Sequence, residues 1–73
     1  MKMTLKSLAM MTNMSQNVIV FDYNMNEIFS GKAHLLVNDK LEFNGQFIYP
    51  NRRHIDFINT HESKNNTLII SVV

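Results

Sequence analysis

Residues 16–33, Gln-Asn-Val-Ile-Val-Phe-Asp-Tyr-Asn-Met-Asn-Glu-Ile-Phe-Ser-Gly-Lys-Ala, restrict the possible folds more than any other stretch. Val18 to Tyr23 is rich in β-branched and aromatic side chains, which suit a pleated, half-buried surface. Asn24, Met25 and Asn26 interrupt this run, and Asn tolerates the positive-φ backbone of a tight reversal. Glu27 to Ser30 resume an alternating pattern, so the stretch predicts two antiparallel strands joined by a short loop. Both faces of that hairpin carry apolar groups: Val18 and Val20 on one, Ile19, Phe21 and Tyr23 on the other. One face should meet helices, and the other is either covered by the remaining chain or left for a partner.

With 73 residues the chain makes one domain, near the lower end of what folds alone. Such a core supplies roughly 3–5 kcal/mol of net stability unless something reinforces it. There is no cysteine, which excludes disulfides, thiolate metal sites and Cys nucleophiles. The remaining reinforcement is self-association, expected as a two-fold homodimer, or binding to a partner. A net charge of +1 gives no default case for nucleic acid and excludes a polyanionic mimic of DNA. No apolar run approaches the ~18–20 residues that span a bilayer, so no membrane role is expected. The opening Met1 to Met11 lacks a small-residue cleavage site and reads as a structural helix of a cytoplasmic protein. Asn, Ile and Lys are abundant while Pro, Gly and Trp are scarce, a bias that suits an AT-rich bacterial or phage genome. The Asn-x-Ser/Thr matches at Asn13 and Asn65 then follow from Asn content.

Thr4 can cap a helix carrying Leu5, Leu8, Ala9 and Thr12 on one stripe, stopped by Asn13 to Ser15. Met10, Met11 and Met14 read as flexible fillers of the core or its rim. After Gly31, the positions Ala33, Leu36, Val37, Lys40 and Leu41 follow helical spacing and predict a short amphipathic helix ending near Asn38-Asp39. Asn44-Gly45 and Pro50-Asn51 are turn signals, and residues 43–53 stay open between strands and a loop. His54 to Thr60 predicts a strand with Ile55 and Phe57 on one face and Ile58 on the other. Glu62 to Asn66 reads as a polar turn. Thr67 to Val73 is apolar on nearly every residue, so it belongs in the interior of a sheet or at a subunit contact. The expected fold is α+β: a small, mainly antiparallel four-stranded sheet, a short N-terminal helix and a short helix after the first hairpin.

Leu5, Leu8 and Met11, then Asp22-Tyr23, Asn26 to Ala33, Leu35-Leu36-Val37-Asn38-Asp39 and Leu68 to Val73, form a set of motifs in order along the chain. In these pieces the sequence resembles small accessory proteins of phages and prophages of Gram-positive bacteria. The resemblance covers residues 3–41 and the last strand, while residues 43–54 are longer and more aromatic than the family's usual link. These are scaffold motifs without an active site. Some proteins of this kind inhibit host defence systems, CRISPR nucleases included, and others sequester signalling nucleotides. The resemblance therefore implies action in the host cell cytoplasm on a host protein such as a defence nuclease or effector.

Chemistry-bearing groups are sparse. His54-Ile55-Asp56 places an imidazole and a carboxylate on one side of a strand, a potential metal or acid–base pair that equally suits a solvated face. His34 stands alone, His61-Glu62 lies beside a turn, and Asp22 and Glu27 flank the hairpin loop. No phosphate-binding loop or nucleophile elbow occurs, so neither an enzyme nor a cofactor is expected. The most unusual composition is Phe47, Tyr49, Arg52, Arg53 and His54, where aromatic rings adjoin fixed positive charge. Such a set suits a protein interface, where Tyr and Arg are enriched, or a stack of bases and phosphates. Its ordinary alternative is a loop whose rings cover the core. The function classes are therefore a binder of a host protein, a sequestering binder of a small anionic ligand, and a structural or assembly factor.

Overall fold

A computed structural model describes residues 3–59 and 67–73. They form one helix, α1 (Leu5–Met11), and six strands: β1 (Asn17–Phe21), β2 (Glu27–Lys32), β3 (Leu41–Phe43), β4 (Gln46–Ile48), β5 (Ile55–Asn59) and β6 (Thr67–Val72). Two 3-10 turns, Ala33–Val37 and Pro50–Arg52, complete the described elements. The expected polar turn at Glu62 to Asn66 lies outside the described residues.

Thr4 caps α1 as its sequence suggests, its hydroxyl oxygen accepting from the Ser7 N–H at 3.1 Å. The Thr12 hydroxyl donates to the Leu8 carbonyl at 2.7 Å and closes the last turn. Leu5 and Ala9 are buried, so this two-turn helix gains its stability by docking. Met10 and Met11 point away and, with Met14, are exposed rather than filling the core.

The main sheet has the order β2-β1-β6-β5. β1–β2 and β5–β6 are antiparallel and β1 and β6 run parallel, so the expected four-stranded sheet is mixed, with two of its three pairings antiparallel. Parallel neighbours need a long crossover, and the chain between β2 and β5 supplies it along one face. β6 lies inside the sheet between β1 and β5, with Ile70 and Val72 buried and Leu68 and Ile69 half-buried.

The expected second helix is only the 3-10 turn Ala33–Val37. Ala33 and Leu36 are buried, as the three-residue repeat of a 3-10 turn allows. The Asn38 amide then donates to the Leu35 carbonyl at 3.1 Å, and Leu41 leaves the helical stripe to begin β3. Residues 43–53 resolve into the β3–β4 hairpin and the second 3-10 turn. Asn44 (φ 52°) and Gly45 (φ 78°) both take the positive-φ backbone of a two-residue hairpin loop.

The core comprises Leu5, Ala9, Val18, Val20, Phe29, Ala33, Leu36, Ile48, Ile70 and Val72. The Phe29 ring meets Phe43 with centroids 5.7 Å apart at 52°, tying the crossover to β2. A bulge between Ile55 and Phe57 overturns their expected common face. Ile55 pairs with Val72 and packs on the core, while Phe57 pairs with Ser71 and is 58% exposed. Ile58, opposite Ile70, turns to the core side.

Phe29 is the largest fully buried side chain. Truncation of such a Phe to Ala costs about 3–5 kcal/mol, as much as a core of this size supplies. Phe29→Ala should therefore be unfolded at 25 °C by far-UV circular dichroism, whereas Phe29→Leu should stay folded with a lowered Tm.

Candidate functional site

Alternation along β4 buries Ile48 and turns Phe47 outward, 56% exposed. The Lys40 ammonium stands 4.1 Å above the Phe47 ring centroid. Pro50, itself buried, starts the following 3-10 turn with its fixed φ, and the Arg52 N–H closes that turn on the Tyr49 carbonyl at 2.8 Å. The reversal lays the Arg52 guanidinium 4.8 Å above the Tyr49 ring. At exposed sites such contacts are worth about 0.5–1 kcal/mol, so they orient the cations more than they stabilise the fold.

Asp39, Lys40, Tyr49, Asn51 and Arg52 line an open cleft of about 330 Å³. Asp39 forms an ion pair with Lys6 of α1, which holds its carboxyl below the ordinary carboxylate range. The cleft therefore presents two ring-stacked cations beside one compensated carboxylate.

Of the five sequence candidates, Phe47, Tyr49 and Arg52 gather here, linked by Lys40. Arg53 and His54 do not. Their backbone is engaged: the Leu5 N–H donates to the Arg53 carbonyl at 2.7 Å and the Val73 N–H to the His54 carbonyl at 3.0 Å. The charge of Arg53 acts on Asp22, at the far end of β1. His54 and Asp56 are both exposed and form no ion pair with each other among the described residues. No group of three or more His, Asp or Glu among the described residues could hold a metal ion, and His61 and Glu62 lie outside them.

The β1–β2 turn is a second organised feature. One Asp22 carboxylate oxygen accepts from the N–H groups of Asn24 and Asn26, each at 2.9 Å, and the Met25 N–H donates to the Asp22 carbonyl at 3.0 Å. These bonds hold Met25 at φ 66° and present Tyr23 80% exposed. Tyr23 thus belongs to the turn rather than to the predicted strand. Lys40 was hidden in the sequence by its fit to a helical stripe, and its place over Phe47 depends on that stripe breaking at Asn38. No family model matches the chain, and no curated protein or solved structure matches it.

Hydrogen bonds from Asn26, with smaller help from Asn24 and Arg53, hold the Asp22 carboxyl below its ordinary value of 3.8. A carboxyl depressed on folding stabilises the fold above its unfolded-state pKa, and that contribution disappears as pH falls through the folded value. Thermal melts should show the wild-type Tm falling below about pH 4, and Asp22→Asn should lose less over the same range. Equal losses in both proteins would mean that the turn does not carry this dependence.

Proposed function

We propose that this protein acts without catalysis, by binding a host protein, in the manner of phage or prophage accessory proteins that inhibit bacterial defence systems. One observation carries the reading: two exposed aromatic rings, Phe47 and Tyr49, each carry a stacked cation, and both cations, Lys40 and Arg52, line the same open cleft. Aromatic anchors and Arg are the side chains on which protein interfaces concentrate their energy. The cations are already oriented, so less side-chain freedom is lost when a partner carboxylate meets them. A partner offering an acidic residue beside an apolar one fits this face.

The alternative, sequestration of a small anion such as a signalling nucleotide, uses the same Lys40 and Arg52. What argues against it is the amount of positive charge: the cleft's two cations, Lys40 and Arg52, match a single partner carboxylate better than the several negative charges of a nucleotide's phosphates. A structural or assembly role gives no account of the cations stacked on exposed rings.

The test is capture of a partner from bacterial lysate, followed by titration of the identified protein with wild type and the double variant Phe47→Ala/Arg52→Ala. Both residues are exposed and the variant loses only their two cation–ring contacts, about 1–2 kcal/mol together, so it should stay folded with Tm lowered by no more than about 4–16 °C. Binding should weaken at least tenfold, about 1.4 kcal/mol. Unchanged affinity in the folded variant would move the interface elsewhere, and tight calorimetric binding of a nucleotide would favour the alternative.

A further inference from the structure

The open edge of the main sheet is β2, and we propose that it pairs antiparallel with β2 of a second copy, giving a two-fold dimer with one continuous sheet. The Ala33 N–H donates to the Gln16 carbonyl at 2.9 Å, and the register continues through Val18↔Gly31 and Val20↔Phe29. Backbone groups alternate along an antiparallel ladder, so Phe29 and Gly31 face β1 while Ser30 and Lys32 turn their N–H and C=O groups outward. Among the described residues nothing bonds to those outward groups. The opposite edge is different: the start of β5 is covered by the N-terminal segment, with the Ile55 N–H donating to the Met3 carbonyl at 2.8 Å.

The charges on β2 select both partner and register. Glu27 and Lys32 stand at the two ends of the strand, both exposed, and their cross-strand neighbours Phe21 and Asn17 place them on the outer face. A two-fold axis at Ser30 joins Ser30 to its own copy by reciprocal backbone bonds and sets Lys32 opposite Ile28 of the second copy. A register shift between Val20 and Phe21 leaves Ile28 as the extra residue of a bulge. Glu27 therefore sits beside the second copy's Lys32, and symmetry repeats the pair. Sliding the register four residues would bring the two Lys32 side chains together, and like charges directly opposite are unfavourable. A lysine on a free edge ordinarily guards against pairing with other strands. Here the neutralising carboxylate is on the same strand, so self-pairing alone lifts the guard.

Sedimentation equilibrium at low ionic strength tests this with the whole protein, circular dichroism confirming that each variant is folded. Wild type should show a concentration-dependent monomer–dimer equilibrium that weakens with added salt. Glu27→Lys and Lys32→Glu should each weaken it about tenfold, two charge pairs being lost at once, and the double swap should restore it. A wild type monomeric up to about 1 mM, single swaps without effect, or a double swap that stays monomeric would each overturn the proposal.

Discussion

The parallel pairing of β1 with β6 is the contact on which the rest of the structure depends. It joins residues fifty positions apart in sequence, Val18 to Leu68 and Val20 to Ile70 among them. Without it the main sheet falls into two separate two-stranded ribbons, each marginal in water. With it Val18, Val20, Ile70 and Val72 share one face, on which α1, the 3-10 turns and the β3–β4 hairpin can settle. Closing so long a loop costs entropy that only the completed core offsets. Folding should therefore be slow for so small a chain, because its decisive contacts are non-local.

The same pairing marks the limit of what the sequence discloses. Each main strand is legible from its own residues: β-branched runs, the Asn-rich reversal, the two-sided apolar C-terminal segment. Strand direction is not local information. Whether the last strand lies parallel or antiparallel to the first depends on how the intervening chain crosses the sheet, and no residue of β6 encodes that. The short helix after β2 failed for a different reason. Ala33 and Leu36 satisfy helical and 3-10 spacing equally, and five residues cannot offset the nucleation of an α-helix. The bulge at Asp56 is a third kind of miss, since one extra residue reverses every face assignment that precedes it.

Half of the candidate site was legible, and the reason lies in chain geometry. Phe47, Tyr49 and Arg52 were conspicuous as rings beside charges, and the structure gathers them. Arg52 and Arg53 are neighbours in sequence but leave the 3-10 turn in different directions: one folds back over Tyr49, the other continues toward β5 and acts on Asp22. A run of like residues at the end of a turn seldom serves one surface. Lys40 and Asp39 had no signal of their own, because the cleft forms only when the β3–β4 hairpin folds back.

The cleft sits on the crossover, the part of the chain that the sheet constrains least directly. Three points still fix it: half-buried Phe43 against Phe29, Ile48 in the core, and buried Pro50 at the start of the second 3-10 turn. Between them, the side chains that face solvent are free of core duties. Scaffold and proposed contact surface are thus separable along the same short segment. Substitution at Ile48 or Pro50 acts on folding, and substitution at Phe47 or Arg52 acts on the proposed interface. Lys6 bridges the two roles, because its pairing with Asp39 fastens the cleft's rim to α1. Removing that ammonium would leave the Asp39 carboxylate uncompensated beside Arg52. The cleft's lining is net positive on its own, two cations against one carboxylate, and a residue outside the cleft strengthens that excess by pairing with Asp39.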